Sequence, residues 1–303
     1  MTGKRAWKGN TGGGSLGQRG MIFLVSLLGL RFAYGLLALV VPFYMLFSRW
    51  SYLEIYRYLR QRQGYSRWRA FTGTYRNHFV FGQVILDRFA VFAGRGDLFR
   101  VEIKGEEHFR RLQEGEKGFV IAGAHVGNFE IAGYLLHARR KRVNVLVYPG
   151  ETRMVLQKKT EAMGNNDARV IPVLEDMSHL FTAYTALRDG EIVSMACDRN
   201  LGSMKSVTCD FLGGKADFPA GAFALATRLE VEMISVFVMK EGTKRYVAHV
   251  KPVARANGLS RDEEIAACAR SFAGELEQIT RQYPEQWFNY YAFWKDERDE
   301  IIP

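Results

Sequence analysis

Cysteine is scarce: the 303 residues hold three, Cys197, Cys209 and Cys268, with no C-x-x-C pair. An odd, scattered set argues against a disulfide framework or a zinc ribbon and fits a reduced, cytoplasm-facing domain. Acid is also in short supply. Against 32 Asp and Glu stand 42 Lys and Arg, giving a net charge of +10 and a pI near 9.5. An anionic partner is expected on that balance, whether phospholipid, acyl carrier, coenzyme A or nucleic acid. Nucleic acid is disfavoured, because the charge gathers beside an apolar segment and no recognised nucleic-acid motif is present. Apolar residues are not lacking: at 48% they exclude wholesale disorder and suffice for a packed core.

The first twenty residues form a Gly-rich polar leader. Gly12, Gly14 and Gly17 have the spacing of a dinucleotide fingerprint, but no apolar strand precedes them, so the match carries no weight. Residues 21–47 then run apolar with a single charge, Arg31. As a continuous helix they would measure roughly 40 Å, enough to cross a hydrocarbon core of about 30 Å. Arg31 is expected to split the run, and Pro42 to kink its second piece. The reading is a membrane anchor, spanning or re-entrant; a buried core hairpin is the alternative. From Arg49 to Arg76 seven arginines face one acid, Glu54, and are interleaved with Trp50, Tyr52, Tyr56, Tyr58, Tyr65 and Trp68. Aromatics favour the headgroup level and arginines pair with lipid phosphates, so this segment reads as a collar on an anionic membrane surface.

Beyond about Leu98 strand-like and helix-like patterns alternate. Strands are expected at Phe99–Ile103, Gly118–Ala122, Val143–Tyr148, Ala168–Pro172, Glu191–Ala196, Val231–Met239 and Arg245–Pro252. Helices are expected at Gly127–Ala138, Ser178–Arg188, Ala220–Arg228 and Arg261–Tyr283. The turn at 240–244 is the one clear hairpin. The expected fold is therefore α/β: a mixed, mostly parallel central sheet flanked by helices, with an N-terminal hydrophobic membrane-anchor helix. The expected division is a leader at 1–20, an anchor with its interfacial helices at 21–76, and a catalytic domain at 77–303.

One constellation carries chemistry. The strand Gly118–Ala122 leads through Gly123, Ala124, His125, Val126 and Gly127 into a helix, which puts His125 at a carboxyl sheet edge, where ligands bind in open α/β sheets. Glu130, five residues on, is close enough to hold the imidazole in one tautomer, as a general base requires. A core histidine satisfied by a nearby carboxylate is the other reading. Asp198 and Arg199 follow a second strand on the same edge and are candidates for substrate or site-shaping contacts, with a loop-fixing ion pair as the alternative. Arg153 is a candidate anion contact. Cys197 has no histidine partner and is disfavoured as a nucleophile. The basic run 139–142 either caps its helix or docks an acidic carrier protein.

Taken together, these blocks resemble a family. Gly-Ala-His125-Val-Gly-Asn-Phe-Glu130 is similar to the H-x-x-x-x-[DE] motif of the lysophospholipid acyltransferase superfamily, in particular the branch of late acyltransferases of lipid A biosynthesis. Met195 to Asn200 resembles that branch's Ala-x-Asp block, Asp210 to Gly214 and the small-residue helix after it its phenylalanine-glycine segment, and Pro284-Glu285-Gln286-Trp287 its C-terminal block. The resemblance implies transfer of a fatty acyl group from acyl carrier protein or acyl-CoA to a hydroxyl or amine of a membrane lipid at the inner membrane. It also implies His125 as base, Glu130 orienting it, and neither metal nor resident cofactor. Two departures leave the acceptor open: residues 288–295 are aromatic where that branch is arginine-rich, and Tyr148 to Arg153 matches loosely. An amino-acid or aryl polyene lipid acceptor, or a catalytically silent lipid-binding protein, stands as the alternative.

Overall fold

The computed structural model describes the chain except residues 1–13, 129–130, 132–139, 148–167, 175–177, 200–204, 257 and 296–303; for residues 14–27, 92 and 168 it describes the backbone alone. Glu130, Arg153 and nearly all of the helix expected over 127–138 lie outside the described residues.

The strands are β1 (Arg100–Lys104), β2 (Phe119–Gly123), β3 (Val143–Val147), β4 (Ala168–Pro172), β5 (Ile192–Ala196), β6 (Ser206–Phe211), β7 (Gly214–Pro219), β8 (Met233–Lys240) and β9 (Arg245–Pro252). Seven of them form one sheet in the order β1-β9-β8-β2-β5-β3-β4. Every neighbouring pair is parallel except β8 and β9, which the turn at 240–244 joins antiparallel, so the sheet is mixed and mostly parallel.

Strand alternation divides the core into two layers. Phe119 and Ile121 of β2, with Ile234, Val236 and Val238 of β8, face a cluster completed by α1 (Gly14–Phe47), α3 (Arg67–Phe92) and α4 (Glu106–Glu114). Val120 and Ala122, with Phe237 and Met239, face the other cluster. That layer is completed by α5 (Ser178–Arg188), α6 (Gly221–Leu229) and α7 (Arg261–Gln282), with α2 (Arg49–Arg57) joining from the N-terminal side. Covered on both faces, β2 is apolar at every position and β8 at all but Ser235 and Lys240, which is why they read as apolar runs.

Several local expectations are corrected. The turn at 240–244 does not mark the one hairpin, for β6 and β7 form a second through Leu212 (φ 49°) and Gly213 (φ 77°). Two consecutive positive φ values match the right-handed twist of the flanking strands. The nine-residue α4 was not anticipated: it is mostly charged and buries only Phe109 and Leu112. Residues 21–47 are divided into two helical pieces two residues before Arg31. The backbone of α1 leaves helical geometry at Gly29 (φ 79°, ψ 166°), a conformation open to glycine because it has no Cβ. Helical geometry resumes across Pro42.

A buried ion pair ties the α1 layer to the sheet. Lys240 Nζ of β8 lies 2.5 Å from Asp87 Oδ2 of α3, both side chains almost fully enclosed. Tyr34 of α1 and Tyr246 of β9 both donate their hydroxyls to the same carboxylate. Burial pushes the Asp87 pKa up and that of Lys240 down, each partly offset by the other. With one ammonium and two phenols as donors the carboxylate is fully satisfied, the condition for burying such a group.

Residues 28–47 form the one stretch among the described residues that is long and apolar enough to cross a membrane, and they are a membrane-anchor candidate.

Candidate active site

Sheet register creates the site. β2 and β5 are adjacent and parallel, with Gly123 opposite Ala196. The Cys197 N–H donates to Gly123 O at 2.9 Å, extending the pairing past the strand ends. His125 and Asp198 each stand two residues beyond a paired position, and the equal offset brings them face to face. Asp198 Oδ1 lies 2.7 Å from His125 Nδ1, while Oδ2 accepts the His125 backbone N–H at 2.9 Å. Side-chain exposure is 2% for Asp198 and 16% for His125, so the carboxylate is sealed in while the imidazole reaches the surface.

Burial alone would raise the Asp198 pKa. The facing imidazole, its two hydrogen bonds and the nearby Arg199 outweigh burial and hold the carboxyl below its usual range. Trp287 Nε1 adds a third donor, 3.4 Å from Oδ2. An ionised carboxylate on Nδ1 fixes the ring with its proton on that nitrogen and favours the imidazolium whenever Nε2 takes a second proton.

The loop after His125 is clamped from the C-terminal end of the chain. His125 O accepts the Phe288 N–H at 2.9 Å, and the Gly127 N–H donates to Gln286 O at 2.8 Å. The Gln286 side chain grips β8 in turn, accepting the Lys240 N–H at 2.9 Å and donating to Lys240 O at 2.8 Å. Gly127 has φ +52° and sits so close to β8 that a Cβ there would lie 2.1 Å from Val238 O. Asn128 donates its N–H to that same carbonyl, accepts the Ile131 N–H at 3.1 Å with its side chain, and meets Tyr246 Oη at 3.2 Å. This loop therefore connects the imidazole to the buried Asp87–Lys240 pair.

The aromatic residues after Trp287 are turned inward. Trp287 packs against Tyr58, Phe211, Phe293 and Trp294 with ring centroids 5.0–5.6 Å apart. Phe288 and Tyr290 pack on Phe81, and Tyr290 also on His78. Trp294 Nε1 donates to Phe211 O at the hairpin turn. A segment used as core has reason to be aromatic, and that is how it departs from an arginine-rich ending.

Of the residues singled out from sequence, the structure brings His125 and Asp198 together. Arg199, mostly buried, donates from Nη2 to Phe288 O at 2.9 Å and so helps hold the C-terminal clamp. The Cys197 thiol is fully buried, and burial with the neighbouring Asp198 charge pushes its pKa up, opposite to what a nucleophile needs. Gln286, Trp287 and Phe288 had no assigned role in the sequence reading; their one signal was the Pro-Glu-Gln-Trp block. Among the described residues no group of three or more His, Cys, Asp or Glu is placed to hold a metal ion.

A mixed, mostly parallel α/β sheet with an imidazole and a carboxylate paired at its carboxyl edge has the open-sheet architecture in which ligands bind beyond the strand ends. The family model for bacterial lipid A biosynthesis acyltransferases matches residues 88–296, a span that includes His125, Asp198 and the 284–287 clamp. The chain belongs to that family, and is an acyltransferase acting on lipid. Comparison with curated proteins returned no match.

Proposed function

We propose that the protein moves a fatty acyl group from a thioester donor, acyl carrier protein or acyl-CoA, to a hydroxyl or amine of a membrane lipid, with His125 as general base. The observation that carries this reading is the 2.7 Å contact between His125 Nδ1 and the ionised Asp198 at the carboxyl edge of the sheet. With Nδ1–H donated to Asp198, Nε2 is the ring nitrogen that takes the acceptor's proton as its oxygen or nitrogen attacks the thioester carbonyl. The tetrahedral oxyanion then collapses, the C–S bond breaks, and the leaving thiolate recovers the proton from the imidazolium. Backbone N–H groups near the strand-to-helix turn or a nearby arginine serve the oxyanion. No resident cofactor is needed, because the thioester is already activated and its leaving group is good.

Asp198 is the positioning carboxylate in this scheme. Glu130 adds a second carboxylate within reach along the chain, and Arg153 a candidate anion contact. Donors made in the cytoplasm place the catalytic face there, on the inner membrane, and the buried free thiols agree with a reducing compartment. The test is mass spectrometry of total lipids from cells carrying the wild-type protein or His125→Ala. One lipid species should lose a single acyl group in the variant, naming acceptor and chain length together. Identical lipid profiles at equal protein levels would overturn the assignment.

A further inference from the structure

The apolar N-terminal helix has two faces, both greasy. Leu30, Ala33, Tyr34 and Val41 are buried at helical spacing against the catalytic domain. On the other side Phe32, Leu36, Leu39, Val40, Phe43, Leu46 and Phe47 are exposed, Leu39 by 68% and Phe47 by 87%. A solvated helix would place polar residues there.

The buried face is docked lengthwise. Tyr34 bonds Asp87, Leu37 fills the space above Gly82, the Ala38 carbonyl accepts from Tyr75 Oη at 3.1 Å, and the rings of Tyr44 and His78 lie 5.8 Å apart. Residues 34–44, about 15 Å of helix, thus run antiparallel to residues 75–87 of α3. That helix carries Arg76, Asn77, Gln83 and Asp87 and packs on the sheet. Sinking α1 upright into hydrocarbon would take the exposed Arg76 guanidinium with it, at a few kcal/mol for that charge. Ahead of the Gly29 break the apolar run 21–28 offers about 12 Å of helix, against the roughly 30 Å a crossing requires.

Where α1 ends, the apolar surface continues into Trp50, Leu53, Trp68 and Phe71, all exposed, with Trp68 stacked on Phe71. Arg31, Arg49, Arg67 and Arg69 are exposed around this surface, and the one acid of the region, Glu54, is buried. Cations and tryptophans edging an apolar face match the anionic headgroup layer over acyl chains.

Resting on the reading of the protein as a lipid acyltransferase, we infer that α1 does not cross the bilayer. It lies in a single leaflet, its outer face among the acyl chains and the Trp50–Trp68–Phe71 surface at the headgroups, so that the enzyme is monotopic. The buried Tyr34–Asp87–Lys240 contact fixes the orientation of the helix on the domain, and with it the height of the His125 edge relative to the lipid surface.

Topology decides the matter independently of activity. Single added cysteines, Thr2→Cys and Pro303→Cys, would be treated with a membrane-impermeant maleimide in spheroplasts and in inverted inner-membrane vesicles, the three native thiols being buried. Both positions should react in inverted vesicles and neither in spheroplasts; labelling of Thr2→Cys from the spheroplast side would overturn the proposal. Phe43→Asp/Phe47→Asp alters only exposed positions. It should lower binding of purified protein to phosphatidylethanolamine–phosphatidylglycerol vesicles by at least about tenfold, with thermal unfolding unchanged. Undiminished vesicle binding would likewise sink it. Acyl transfer assayed in the same inverted vesicles keeps a failure of the enzymatic reading separate from a failure of the topology.

Discussion

The indole N–H of Trp287 points at the same carboxylate oxygen of Asp198 that holds the His125 backbone, 3.4 Å away. Trp287 thus completes the surroundings of the His125–Asp198 pair set up by β2 and β5. Trp287→Phe keeps the aromatic packing and removes the donor. Turnover should fall about two- to tenfold, the worth of one long hydrogen bond to a charged group. A carboxylate relieved of a donor stabilises the imidazolium more strongly, so the acidic limb of the kcat/KM profile should move to higher pH. An unmoved profile would mean that Trp287 only fills space.

Asp198→Asn tests the carboxylate itself. Turnover should drop by about 10²- to 10⁴-fold, with KM for the lipid little changed. Stability supplies a second readout. Because the folded-state pKa of Asp198 is depressed below its ordinary 3.8, its contribution is present above that value and lost as pH falls through the folded one. The gap in Tm between wild type and Asp198→Asn should be full at neutral pH and narrow only as pH falls below 3.8; a constant gap would contradict an ionised, stabilising Asp198.

Gly127→Ala addresses the close approach of the catalytic loop to β8. A methyl group at φ +52° and 2.1 Å from Val238 O forces the loop away from the strand. The expected cost is on the order of 1–3 kcal/mol in urea unfolding, together with a loss of activity as His125 shifts. Equal stability of the variant would show that the loop has room to spare.

Asp87→Ala leaves the Lys240 ammonium enclosed without its counter-ion. Unfolding free energy should fall by about 3–5 kcal/mol, more than a surface pair would cost. Arg245→Ala, which breaks exposed pairs with Glu102 and Glu241, serves as the comparison and should leave unfolding almost unchanged. Similar losses in the two variants would argue against a sealed ion pair.

Strand β2 was legible because burial on both faces forces a continuous apolar run, whereas β5 carries Ser194 and is only half-buried over its last three residues. His125 and Asp198 could each be placed at a strand end by counting. Their pairing could not, because β3 and β4 intervene in sequence between two strands that are neighbours in space. Nothing local marks Asp87, Lys240, Tyr34 and Tyr246 as one cluster either; they come from four elements, and each alone reads as an ordinary surface or core residue. The β6–β7 hairpin escaped notice because its turn begins with Leu212, a residue rarely found at positive φ. The break in α1 falls at Gly29, two residues before Arg31, where the missing Cβ opens a backbone geometry that no charge pattern announces.

The grip of Gln286 and Phe288 on Gly127 and His125 has a consequence for biosynthesis. Strand β2 leaves the ribosome long before the segment that secures its catalytic turn has been translated. A nascent chain should therefore lack a fixed His125 turn until residues 286–288 have emerged from the ribosome.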